Sequence, residues 1–448
     1  MKSISIWFLY LSSALLCQTS LLWGKTLDVV GDYGADNTGA AYTTTNIQNA
    51  INACQPGDTL LIPPGKYLLN DGLSLKSDLT VTLSSNALLQ ANTVGAWVKN
   101  RSPVIYGTGL NHVTIEGGGG IDGGGLVYTR SKGIEPGNGI KFRECTDVTL
   151  RNIAVSNIPT FGVNIEDSDN LVIEGLTIRG RGFDNQHGSS DGMDIQGCNH
   201  VRISNCNIEV GDDGLCLKTI DGRHPCHDIR IHDCTLASTC NAFKIGTGTV
   251  ADVYDVVAEN IIVNKHSNPG KGNPVPSGDC IAAIALESND HHRTHDILCR
   301  NFTINSCYCP IFFELQNRQS YEKGAMGNLD NILIENVNCL KSMQPIIFNW
   351  QRDGANKMTN VTLRNITVHN YGKEAGANLT FMTGGYPDAN KNGMANAYGI
   401  WARGIVGLKL ICLNLYDDGG SKREKIVFDP SVEKVDSSAI DDCAMKPQ

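Results

Sequence analysis

The chain of 448 residues is poor in charge and in aromatic rings: Asp, Glu, Lys and Arg make up 19% and Phe, Trp and Tyr 6%. It has no lysine- or arginine-rich stretch, and its formal net charge is −9. Nucleic acid and anionic membrane surfaces attract positive charge, so neither is expected as a partner. No sustained 3.6-residue apolar period is present, which argues against a helical bundle. Beyond the N-terminus no segment is apolar over the roughly 20 residues that a membrane span needs. What is plentiful is glycine, with 48 residues, as a turn-rich β protein would have.

The N-terminus reads "MKSISIWFLYLSSALLCQTSLLWGKTLDVV". Lys2, an apolar run to about Leu16 and then small or polar residues form the layout of a secretory leader. Residues 1–24 are expected to be a signal peptide and 25–448 a single catalytic domain, secreted or periplasmic. Of 16 cysteines, Cys17 lies in the leader, and the odd remainder leaves at least one free thiol.

A seven-residue phrase recurs: "DVTLRNI" at 147, "NLVIEGL" at 170, "HVRISNC" at 200, "DIRIHDC" at 228, "DVVAENI" at 255, "DILCRNF" at 296, "NILIENV" at 331 and "NVTLRNI" at 360. "HVTIEGG" at 112 is a weaker copy. Each alternates apolar and polar residues and places Asn, Asp or Gly sixth, which reads as strand, one-residue bend, strand. The spacings of 23, 30, 28, 27, 41, 35 and 29 residues indicate a solenoid whose coils stack strand on strand. The expected fold is all-β: one right-handed parallel β-helix with a short N-terminal capping helix near 45–53. The bend residues should form a hydrogen-bonded ladder from coil to coil. Cys206 and Cys234 share one repeat position, and Cys145, Cys198 and Cys226 another. A disulfide between coils is geometrically possible; buried stacked thiols are the simpler expectation.

Aligning three successive coils superposes Met193, Leu215 and Phe243, and likewise Ile195, Leu217 and Ile245. Asp191, Asp213 and Asn241 then form one column, with Asp212 beside it. Column neighbours lie about 5 Å apart and the Asp191–Asp212 diagonal roughly 6–9 Å. Three carboxylates so close cannot all ionise at their ordinary values, and one should keep its proton while another stays charged. Hydrolysis of a glycosidic bond needs such a split, and the diagonal suits inversion better than retention. A calcium site and plain solvated turns are the competing readings of the same residues.

The chain resembles glycoside hydrolase family 28, the pectin-degrading polygalacturonases and rhamnogalacturonan hydrolases, over nearly all of its expected mature length. The opening "DVVGDYGADNTG…NIQNAINAC…GDTLLIPPGKYLL" is similar to the start of pectinase-type β-helices. "GGIDGGG" at 119–125 matches the family's Gly-x-Ile-Asp-Gly-x-Gly stretch. "SSDGMDI" matches its Asn-Thr-Asp-Gly-x-Asp motif at Asp191, Gly192 and Asp194, and "GDDGLCLK" its Gly-Asp-Asp motif at Gly211, Asp212 and Asp213. The resemblance implies an inverting hydrolase of acidic plant polysaccharides, with Asp212 as general acid and Asp191 and Asp213 holding the attacking water. It implies no metal and no cofactor.

The departures bear on the substrate. The family's Gly-His-Gly falls at Cys240–Ala242, with Asn241 in place of histidine. Its Arg-x-Lys, which grips a galacturonate carboxylate, falls near "CIAAIALES", where no base stands and Glu287 lies near the lysine position. A carboxylate there would repel a uronic acid, so plain homogalacturonan is not the expected substrate. Lys244, Lys218 and Arg318 are candidates to restore positive charge, Glu287 to bind a neutral sugar's hydroxyls, and Asn241 to bind an aspartate or a sugar. Asp194 is expected to be structural or a partner of Lys244. Insertions near 179–190, 265–280 and 318–328 fall at comparable points of successive coils and should wall the groove. The expected partner is a polysaccharide or oligosaccharide and the expected state a monomer. A polysaccharide lyase or epimerase on the same fold, and a non-catalytic glycan-binding β-helix, are the alternatives.

Overall fold

The computed structural model describes residues 24–91, 102–125, 137–180, 190–219, 221–269, 275, 278–318, 327–351, 356–379 and 386–440. Nearly all of the expected leader, most of the 179–190 insertion and parts of the other two lie outside the described residues.

The strands pair in parallel and wind a right-handed β-helix with two long sheets, the shorter comprising 12 strands among the described residues. Each coil lays its phrase on the longer sheet and a second strand on the shorter. Register follows the apolar residues: Val148, Leu171, Val201, Ile229, Val256, Ile297, Ile332 and Val361 stack in one column. All are buried, so neighbouring coils supply the core that none could form alone.

Bends occur at both ends of the phrase rather than only at its sixth position. The first residues Asp147, Asn170, His200, Asp228, Asp255, Asp296, Asn331 and Asn360 have φ between 49° and 57°. So do the sixth residues Asn152, Asn205, Asp233, Asn260, Asn301, Asn336 and Asn365, between 53° and 59°. Asn and Asp tolerate this left-handed region better than other side chains. The ladder is present: Asn301 donates to Asn260 (2.9 Å), Asn336 to Asn301 (3.1 Å) and Asn365 to Asn336 (2.7 Å). Two further copies of the phrase begin at Asp78 and Gly407, whose residues Leu79 and Leu408 join the same column.

The cap is the helix Thr44–Ala53, with Ile47, Ala50 and Ile51 buried. Its Gln48 side-chain amide donates to Ser74 O and accepts from Ser74 N, both at 3.0 Å, occupying a sheet edge as a strand would. Cys206 and Cys234 are free thiols buried in the stack, as are Cys145, Cys198 and Cys226. Cys412, at the bend above Asn365, is disulfide-bonded.

Candidate active site

The strands Asp191–Gln196, Leu215–Thr219 and Asn241–Thr249 lie on successive coils of the shorter sheet. Their register pairs Met193 with Leu215 and Leu215 with Phe243, which stacks Asp191, Asp213 and Asn241. Gly192 N donates to Asp213 O (2.9 Å) and Gly214 N to Asn241 O (2.7 Å). The coils approach so closely that a Cβ on Gly192 would lie 2.3 Å from Gly214 O, and one on Gly214 would lie 2.5 Å from Ala242 O. That closeness explains why a glycine follows each aspartate.

Asp213 is buried with Lys244 Nζ 3.1 Å from its Oδ2. Asn241 donates to its Oδ1 through Nδ2 (2.9 Å) and through its backbone N (3.3 Å). Burial opposes ionisation, but Lys244, Lys218 and Asn241 together hold Asp213 below the usual carboxylate range. Asp191 differs. Burial, then Asp194, pushes it well above that range, although Lys218 Nζ lies 3.3 Å away. Lys218 is nearer to Asp194, at 2.6 Å. Burial and the Lys244 ammonium act oppositely on Glu287, 3.7 Å from Nζ, and burial prevails, lifting its carboxyl. Two lysines thus face four buried acids, and burial raises three of them, Asp191, Asp194 and Glu287, leaving Asp213 the one held low. Both lysines stay charged: burial would lower each, but their carboxylate partners raise them further. Asp212 stands apart from this cluster, partly exposed, with its Oδ1 accepting from Asp213 N (3.1 Å).

Three expected sugar contacts sit too deep for that task. Asn241, Lys244 and Glu287 are each 0% exposed and lie behind Asp213, because other parts of the chain cover the outer face of the sheet here. Asp194 pairs with Lys218 rather than Lys244, since the outward-facing Lys218 lies one coil closer. Arg318 is held by Asp290 through Nε (3.1 Å) and Nη2 (2.7 Å).

Two residues that sequence reasoning missed complete the site. Tyr386 brings its hydroxyl within 3.4 Å of Lys244 Nζ, and its ring centre lies 5.7 Å from the Arg318 guanidinium carbon. Asp388, two residues on, is buried in the field of Lys244, Asp213 and Asp212, and burial pushes its carboxyl up to about 6. No repeat marks this segment. Only a lone Tyr-Pro-Asp could have drawn attention to it.

Asp212, Asp213 and Cys240 offer ligand atoms within 4.8 Å of one another. They suit a hard cation poorly. The Lys244 ammonium already occupies Asp213, and burial holds the Cys240 thiol protonated.

Residues 54–269 match the family model for glycosyl hydrolases family 28. Over that span, just under half of its length, the chain is similar to that family. The matched span contains all three aspartates, Lys218, Asn241 and Lys244, and ends before Glu287, Arg318, Tyr386 and Asp388. Among curated relatives, a probable polygalacturonase of Vitis vinifera is 27% identical over 278 residues, covering 53% of this chain and 55% of the relative. A probable rhamnogalacturonase E of Aspergillus oryzae is 25% identical over 237 residues, covering 53% and 52%. The chain spans about half the length of the curated relatives it matches. A Yersinia enterocolitica family 28 exopolygalacturonase shares its fold, with a TM-score of 0.69 and 16% identity over 93% of this chain and 79% of the other.

Proposed function

We propose that this chain is a family 28 hydrolase, secreted or periplasmic and monomeric, that cleaves a pectic polysaccharide or oligosaccharide by inversion. One observation carries the reading: partly exposed Asp212 stands beside a buried Asp213 held below the usual carboxylate range and a buried Asp191 pushed well above it. Carboxyls kept in different states within one groove are the equipment for glycosidic cleavage. Asp212 protonates the leaving oxygen as its C–O bond breaks. Asp213 takes the proton of the attacking water, which Asp191 helps to orient. Asn241, Lys244 and Glu287 act through Asp213, whereas Lys218 and Arg318, each already held by a carboxylate, contact neutral hydroxyls of the substrate.

Substrate preference follows from the charges. Both lysines of the cluster are engaged by the protein's own carboxylates, leaving neither to grip a uronic acid at the cleavage point. A backbone carrying neutral sugars, such as rhamnogalacturonan, fits better than plain homogalacturonan, in line with the named activities of several relatives. A lyase would need an uncommitted cation for the substrate carboxylate, and these lysines are committed.

The decisive experiment compares wild type with Asp212→Asn on defined pectic oligosaccharides, reading reducing ends and the anomer of the first product by NMR. Inverted product from wild type and a loss of about 10²–10⁴-fold in the variant are expected. Retained configuration, or equal activity in both proteins, overturns the assigned roles.

A further inference from the structure

The segment containing Tyr386 reaches the carboxylates from far along the chain, meeting Lys244 across 142 residues. Its seat is firm. Asp388 N donates to Tyr386 O (3.1 Å) and Lys391 N to Asp388 O (2.9 Å), forming a tight turn. Ala389 packs with Phe312, Ile347 and Trp401 in an apolar cluster on the outer side of the shorter sheet. The turn is therefore anchored by packing and presents its side chains in fixed positions.

Two features of this turn point to a sugar. Tyr386 is 48% exposed while its hydroxyl faces the buried Lys244 and its ring lies against Lys244 and Arg318, so part of this aromatic side chain meets solvent beside the acids. Rings with one polar end and an open face are common in recognition sites. Asp388 is only 7% exposed, and its Oδ1 has no hydrogen-bond partner. A buried acceptor left unmet is costly, and a ligand hydroxyl would satisfy it. The negative neighbours Asp212 and Asp213 make a carboxylate the wrong group to place there.

Resting on the hydrolase reading, we propose that Tyr386 and Asp388 form the wall that selects a neutral pyranose in the subsite beside Asp212. The Tyr386 ring meets the sugar's C–H face, and Asp388 Oδ1 accepts a hydrogen bond from a sugar hydroxyl. A uronic acid is disfavoured at this position because its carboxylate would approach the carboxyls of Asp388, Asp213 and Asp212.

The test uses the full chain and two substrates: oligosaccharides of rhamnogalacturonan, whose backbone alternates a neutral deoxyhexose with a uronic acid, and oligosaccharides of homogalacturonan. Asp388→Ala is expected to raise KM for the first about tenfold with little change in kcat, as loss of one hydrogen bond implies. The preference for rhamnogalacturonan over homogalacturonan should shrink by a similar factor. Tyr386→Ala should also act through KM, and Tyr386→Trp should restore binding. An unchanged preference in Asp388→Ala, or an equal loss of kcat on both substrates, overturns the inference while leaving the hydrolase reading intact if Asp212→Asn is inactive. Release of no reducing ends by wild type from either substrate overturns both.

Discussion

Lys244 Nζ lies 3.1 Å from Asp213 Oδ2, with the two side chains 0% and 2% exposed. Burial alone would discharge both groups. Each instead keeps the other charged, and the result is a permanent anion beneath the place proposed for the sugar. Removing one partner of such a pair strands the other, at a cost of about 3–5 kcal/mol.

Lys244→Met tests the pair. The pKa of Asp213 lies below its usual value, so its anion persists as the pH falls past 3.8. The stability it contributes is present above that unfolded value and disappears as pH drops through the folded one. Without the ammonium, burial dominates and the pKa rises. The acid limb of the kcat/KM profile should therefore move to higher pH, and thermal melts should register the stability loss. An acid limb that stays in place would separate Lys244 from the charge of Asp213.

Asn241→Ala removes the Nδ2 donor to Asp213 Oδ1 and leaves only the backbone N, at 3.3 Å, on that oxygen. Asn241 has no exposed surface, so the expected loss is in kcat, roughly tenfold, with KM unchanged. A rise in KM alone would make Asn241 a direct sugar contact.

Glu314, the neighbour of Glu287 on the next coil, provides a stability test. It is buried, accepts from Asn349 Nδ2 at 2.7 Å, and burial raises its pKa from 4.5 to about 8. The folded chain keeps this proton where the unfolded chain releases it. Stability from this group is full below pH 4.5 and declines as pH rises towards about 8. At pH 7 the deficit is on the order of 3 kcal/mol. Glu314→Gln should flatten that part of the stability–pH curve in urea titrations. Identical slopes in both proteins would show that Glu314 titrates normally.

The asparagine ladder predicts a residue-specific cost. Asn336 has φ 55°, donates to Asn301 and accepts from Asn365. Asn336→Ala should destabilise by about 2 kcal/mol, combining left-handed strain with lost hydrogen bonds. Asn336→Gly, free of the strain, should lose less. Equal melting temperatures for the two variants would remove the backbone from the explanation.

The stacked core was legible because apolar residues recur at strand period and Asn or Asp marks each bend. The phrases at Asp78 and Gly407 escaped notice: Leu83 and Cys412 stand where the others have Asn, Asp or Gly. The column of Asp191, Asp213 and Asn241 was legible because register passes from core residues to their neighbours on the strand. Tyr386 and Asp388 were not, since nothing periodic ties a turn after residue 379 to a strand near 213. The depth of Asn241, Lys244 and Glu287 was equally hidden, because it depends on which parts of the chain cover the outer face of the sheet.

From the sequence alone came the order along the axis: which residue stands above which, dictated by a two-residue pleat and the apolar side chains that must face inward. Folding in three dimensions decided which ammonium meets which acid, how far each lies from water and therefore which carboxyls are charged. Those outcomes depend on desolvation, and desolvation at this site is set in part by a turn that joins it from 142 residues away.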